Sequence, residues 1–225
     1  MARWMVISAY TINTPYEDEV KVLESTLLEH NVPYKLYPYE SQGDWETNCL
    51  QKGRIILKAF NELQRNIVWL DADAEVLQYP ELFDTYKYDI GLYKRWHTFK
   101  QQGELGTLYH WDTGTIFLKN TASVHKLIAI QQSFYFVTKA VGLVEAGLDW
   151  MFTGFNHFIS RIERDGGDSP TGIRIGQLPV TYSYIKNTKQ PEELKYKRKV
   201  VIRHNQVSRE HKETVSGHSV PDDGV

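Results

Sequence analysis

Asp71 and Asp73 stand one residue apart, directly after the apolar run Ile67-Val68-Trp69-Leu70, within the stretch RNIVWLDADAEVLQYPELF. Two anions at the end of a buried strand require a counter-charge. The plainest reading is capping, since an Asp side chain readily accepts hydrogen bonds from the next turn. The other reading is chemical. Two carboxylates on one turn offer hard oxygen ligands to Mg²⁺ or Mn²⁺. Such a cation bridges the carboxylates to a nucleotide diphosphate and neutralises charge that develops as a sugar–phosphate bond breaks.

The elements before the pair decide where it sits. Trp4 to Tyr10 reads as a first strand. Thr14, Pro15 and the acids Glu17, Asp18 and Glu19 mark a helix start, with Val20, Leu23, Leu27 and Leu28 at helical spacing. Val32 to Tyr39 reads as a second strand, ESQGDWET as a loop, and Thr47 to Gln64 as a second helix weakened by Gly53. The order β-α-β-α-β predicts a parallel sheet with covering helices. Ligands of such sheets bind at the carboxyl ends of the strands, which is where the Asp pair falls. Further on, strands are expected at Tyr88 to Tyr93, Thr113 to Leu118, Ile173 to Leu178 and Lys199 to Arg203. Helices are expected over Ser123 to Thr138 and Leu143 to Ile162.

The totals exclude several classes. The chain has 225 residues, of which 41% are hydrophobic and 13% aromatic, so it can bury a full core. A net charge of −2 argues against a nucleic-acid partner. The single cysteine, Cys49, leaves no intrachain disulfide, which fits a reducing compartment. The start MARWMVISAY does not read as a signal peptide, and no apolar stretch approaches the roughly 20 residues of a membrane helix. The expectation is a cytoplasmic protein with no integral membrane segment. It is read as one domain over residues 1–207, followed by a polar, mobile tail over 208–225.

Several segments resemble, in order, the GT-A glycosyltransferases, close to the family-8-like nucleotide-diphospho-sugar transferases. They are QKGRIILKAFNEL, NIVWLDADAEVLQYPELF, HWDTGTIFLKNT, EAGLDWMF and VVIRHNQVSR. The resemblance spans roughly Trp4 to Arg209. It departs from the family where Asp112 and Thr113 replace the usual Asn and Ser, and where Trp150 replaces Gln. It implies an α/β fold of GT-A type, a Rossmann-like mixed sheet with helices on both faces. It implies Asp71, Asp73 and His204 as metal ligands. Imidazole at a strand end, after KVVIR, suits Mn²⁺ beside carboxylates.

The resemblance also implies that Ser8, Tyr10 and Thr11 receive the nucleotide base and ribose, with Asp71 and Ala72 on the donor side. Lys52, or its rival Arg54, would offset diphosphate charge; either could instead be a solvated helix face. Asp149 is the preferred sugar-facing carboxylate and Asp112 its rival. Asp89 reads as a strand residue facing water or an Arg. Trp45, Trp96, Trp111 and Trp150 fall near loops on the ligand side, where an aromatic platform could carry an acceptor; core packing is the competing reading for each.

The expected function is metal-dependent transfer of a sugar from a nucleoside-diphosphate sugar, UDP favoured and retention favoured. The acceptor would be a glycan, a protein or a small molecule. The alternative is a non-catalytic GT-A-like module that binds a nucleotide sugar or glycan. A haloacid-dehalogenase-type phosphatase also places Asp-x-Asp after an apolar strand. It normally carries the motif near the chain start, whereas two βα units precede it here.

Overall fold

The computed structural model describes residues 3–43, 45–101, 104–140, 172–187 and 195–205. The helix expected over Leu143 to Ile162, with Asp149 and Trp150, and the tail from Ser208 lie outside them.

The chain begins with β1 (Trp4–Thr11), α1 (Tyr16–Glu29), β2 (Tyr34–Tyr39), α2 (Trp45–Leu63) and β3 (Asn66–Leu70). Strand β1 pairs in parallel with β2 on one side and β3 on the other. The chain therefore reverses its winding about β1, and a crevice is expected where the carboxyl ends of β1 and β3 meet.

Helix α1 buries Val20, Leu23 and Leu27, one stripe at helical spacing. It starts one residue later than the sequence suggests, with Pro15 as the flanking residue. The hydroxyl of Thr14 still accepts the Tyr16 N–H at 3.3 Å. Its end is a paired-carbonyl cap. The Val32 N–H donates to Leu27 O and the Asn31 N–H to Leu28 O, with Asn31 at φ 53°. Asn tolerates that left-handed conformation better than most residues, and the reversal sends the chain into β2.

After β3 come β4 (Ala74–Val76), β5 (Ile90–Gln101), β6 (Glu104–Leu118), α3 (Ala122–Ala140), β7 (Ile175–Gln177), β8 (Tyr184–Ile185) and β9 (Ile202–His204). The main sheet runs β2-β1-β3-β6-β5-β7, and a small sheet runs β4-β9-β8. The main sheet is mixed, because β6 pairs antiparallel to both β3 and β5. One core joins its inner face to α2 and α3, through Ile56, Phe60, Leu127 and Ile128 against Ile7, Ile67 and Trp69. The other joins the opposite face to α1 and the small sheet, through Leu23 and Leu27 against Val6, Val68, Leu70 and Ile202. The expected GT-A-type arrangement, helices on both faces of a mixed sheet, is present. Among the described residues no helix is long and apolar enough to cross a membrane.

Two expectations change. Strands β5 and β6 extend far beyond Tyr93 and Thr113 to form a long hairpin, paired out to Gln101 opposite Glu104. In sequence its outer part, HTFKQQGELGTLYH, shows no regular alternation of apolar and polar residues, so the strand period gave no signal there. Strand β4 was not anticipated; three residues are too few to show a period.

Candidate active site

The site is assembled at the carboxyl end of β3. The Asp71 N–H donates to Gly114 O at 2.9 Å, and the Ala74 N–H donates to Asp71 O at 3.0 Å, closing the Asp71–Ala74 turn. Strand β4 then pairs with β9, with Ala74 opposite His204. The Asn205 N–H donates to Asp73 O at 3.1 Å. That pairing brings together residues far apart in sequence: His204 Nδ1 lies 3.7 Å from Asp73 Oδ1.

A register shift in the hairpin shapes the third side. Gly91 faces Phe117, but Tyr93 faces Asp112, so two steps along β5 span five along β6. Such bulges re-aim side chains beside functional sites. Here the freed stretch supplies three contacts. Thr113 offers its carbonyl to Lys52 Nζ at 3.0 Å. Thr115 Oγ1 lies 2.8 Å from His204 Nε2, both buried. Gly114 leaves room for the imidazole, because a Cβ there would stand 3.0–3.2 Å from the ring atoms of His204.

The counter-charges of the carboxylate pair lie within the chain. Lys52 Nζ is 2.9 Å from Asp71 Oδ1. The Trp69 indole N–H donates to the same oxygen at 2.7 Å. Trp69 and Asp71 are two residues apart, so their side chains share one side of the strand line. Beside Asp73 stands His204. Burial opposes its charge, but Asp73 first, then Asp112 and Asp71, outweigh it and raise its pKa above the ordinary histidine value.

Asp112 is tied elsewhere. Its Oδ2 accepts from Arg95 at 2.7 Å and its Oδ1 accepts the Gly114 N–H at 3.1 Å. Arg95 is itself buried and also donates to Ser183 O at 2.9 Å. Burial pushes the Asp112 carboxyl up, but Arg95 and His204 prevail and hold it below the usual carboxylate range.

Asp73 and His204 are thus brought together, with Asp71 on the same turn facing Lys52. Among the described residues no three His, Cys, Asp or Glu side chains form a group placed to hold a metal. The donor types nevertheless fit a divalent cation, two carboxylates and an imidazole whose far nitrogen rests on a hydroxyl, as ligating histidines usually require. Of the two candidate cations on α2, Lys52 faces the site, while Arg54 is exposed and bonds Gln51 at 3.1 Å.

Among the nucleotide-side candidates, Thr11 is buried at the end of β1 with its hydroxyl 2.8 Å from that of Thr14, and Tyr10 is half-buried. Ser8 is fully buried with its hydroxyl unpartnered among the described residues, and Ala72 is buried in the turn. Asp89 faces an Arg, one of the two readings from sequence, and not water. It lies just before β5, buried, held by Arg174 at 3.3 Å and Lys119 at 3.4 Å.

Trp96 stands on β5 and Trp111 on β6. Trp111 is 2% exposed in the core while Trp96 is 50% exposed, so the packing reading holds for Trp111. Trp45 opens α2.

Thr115, Gly114, Trp69 and Arg95 were missed in the sequence. Period-two alternation from Asp71 points back to Trp69. Nothing local marks Thr115 as the partner of a residue 89 positions away.

This architecture is a GT-A-like glycosyltransferase fold. The chain is similar to the solved glycosyltransferase involved in glycosylation of the major capsid of PBCV-1, at 17% identity and TM-score 0.58, covering 94% of this chain and 99% of that one. It also aligns, more loosely, with the glycosyltransferase GlyE of Streptococcus pneumoniae TIGR4, at 13% identity and TM-score 0.47, over 91% and 54% of the two chains. Mouse xyloside xylosyltransferase 1 aligns at 12% identity and TM-score 0.45, over 91% and 98%. No protein-family model matches the chain, and no curated protein matches it in sequence.

Proposed function

We propose that the protein transfers a sugar from a nucleoside-diphosphate sugar, UDP-linked in the favoured case and with retention, to a glycan, protein or small-molecule acceptor. The reading rests on the approach of His204 to Asp73, 3.7 Å apart, beside the turn that carries Asp71 at a strand end of a glycosyltransferase fold. It supports the enzyme over a non-catalytic sugar-binding module, which has no need of two carboxylates and an imidazole so placed. Asp71 and Asp73, with His204 fixed through Thr115, would hold a Mn²⁺ or Mg²⁺ ion. When bound, that ion supplies charge neutralisation for the departing diphosphate.

The chain's own residues do the rest. Tyr10 and Thr11 flank the nucleotide at the end of β1. Lys52 adds positive charge from α2. Asp112, kept ionised by Arg95, suits stabilisation of positive charge on a sugar ring better than taking up a proton. Asp149 remains the candidate for direct contact with the sugar.

Donor hydrolysis followed by NMR tests the proposal. Slow release of free sugar from a UDP-sugar with Mn²⁺, lost in EDTA and in Asp73→Asn, is the expected result. Donors of all four common nucleotides left intact, in the presence of Mn²⁺ and protein known to be folded, would favour the binding module.

A further inference from the structure

Lys52 has an unusual set of neighbours for a residue meant only to meet a substrate. Its side chain is 23% exposed, and its ammonium donates to Asp71 Oδ1 at 2.9 Å and to Thr113 O at 3.0 Å and lies 5.1 Å from the centroid of the Trp69 ring. Trp69 donates to the same carboxylate oxygen. The positive charge therefore already occupies the anion that a divalent cation would use.

We infer that Lys52 is an internal counter-ion that competes with the divalent cation for Asp71, and so couples cation binding to diphosphate binding. The inference rests on the cation-and-nucleotide reading above. Two cations on one carboxylate repel each other, so the ion alone binds weakly while Lys52 holds Asp71. A nucleoside diphosphate adds negative charge that both cations can share. The lysine stem is flexible enough to turn its ammonium from Asp71 towards a phosphate while keeping Thr113 O within reach. Each ligand then strengthens the binding of the other, and by linkage the effect is reciprocal.

The sign of the effect separates this role from a structural one. A lysine that merely stabilises the corner would, when removed, weaken every ligand. A competing counter-ion would, when removed, strengthen Mn²⁺ alone and weaken Mn²⁺ together with nucleotide.

The test is Mn²⁺ titration read by electron paramagnetic resonance, with and without UDP, on the wild-type protein and on Lys52→Met, Lys52→Gln and Lys52→Arg. Melting curves confirm that each is folded. In Lys52→Met and Lys52→Gln, Mn²⁺ alone is expected to bind about tenfold tighter. The gain in Mn²⁺ affinity on adding UDP, of the order of 5–150-fold for a coupled pair, is expected to fall towards one. Lys52→Arg, which keeps the charge, is expected to restore much of the coupling. Mn²⁺ alone binding no tighter in both neutral variants overturns the inference and leaves the metal reading intact. Wild-type Mn²⁺ binding that is unchanged by Asp71→Asn, with and without UDP, overturns the cation reading and this inference with it.

Discussion

His204 and Thr115 meet across two sheets, with Nε2 of the imidazole 2.8 Å from the threonine Oγ1 and both residues buried. The contact fixes the ring and directs the other nitrogen, Nδ1, at Asp73. Thr115→Val keeps the shape and removes the hydroxyl. It should weaken Mn²⁺ binding by about 10–100-fold, the usual effect of losing a hydrogen bond that orients a ligating histidine. Leaving a buried ring nitrogen unpaired should also cost about 1–3 kcal/mol of stability. Calorimetric Mn²⁺ titration beside a thermal melt checks both. Full Mn²⁺ affinity in a destabilised Thr115→Val would remove His204 from the ligand set.

Gly114 lies against the same ring. An added methyl would sit 3.0–3.2 Å from three ring atoms, and the imidazole is confined by Thr115 on one side and Asp73 on the other. Gly114→Ala should therefore overpack the corner, costing about 1–3 kcal/mol and weakening Mn²⁺ binding by displacing His204. Denaturant unfolding gives the first quantity and the same titration the second. An unchanged melt would mean that the ring has room to move.

Arg95 and Asp112 form an ion pair with side chains 5% and 17% exposed. Arg95→Met would strand the Asp112 carboxylate without its main partner, a loss of about 3–5 kcal/mol. Adding Asp112→Asn should recover part of that loss, because the remaining amide oxygen can still accept the Gly114 N–H. A double-mutant cycle by urea unfolding measures the coupling. Additive losses would show that the two side chains are not energetically linked.

Asp89 provides a pH-dependent test away from the Asp73–His204 corner. Burial pushes its carboxyl up, but the Arg174 backbone N–H and guanidinium, with Lys119, more than offset this and leave it below the ordinary value of 3.8. A carboxyl lowered on folding stabilises the fold at pH above its unfolded value, and that stability is lost as pH falls through the folded value. Asp89→Asn should thus melt lower than wild type at pH 7, and the gap should close as pH drops below about 3.8. A gap that is constant over pH 7 to 3 would contradict the shift.

Some of this was legible in residue order. The apolar run Ile67 to Leu70 gave β3, and its position after two βα units placed Asp71 at a ligand-binding strand end. Lys52 and His204 were legible only through family resemblance. What could not be read depends on pairings between distant segments. The bulge releases Thr113 to Thr115 from β5 while Thr115 stays paired with Leu70 of β3, and no local pattern encodes it. Strand β4 exists because β9 lies beside it. Arg95 reads as one more surface cation in the run YKRWHTFK, yet it is buried and bonded to Asp112 and to Ser183 O. For Trp111 the core-packing reading is the one that applies.

On the proposed function, Asp71 and Asp73 bind a nucleoside diphosphate through a divalent cation. Thermal unfolding with UDP tests it directly, run with Mn²⁺ and with EDTA on the wild-type protein, Asp71→Asn and Asp73→Asn. At 100 times its dissociation constant a ligand adds about 2.7 kcal/mol, or about 5–10 °C in Tm for a chain of this size. That shift is expected for wild type with Mn²⁺ only, and for neither variant. An equal shift with Mn²⁺ and with EDTA, or one that survives in both variants, would contradict it.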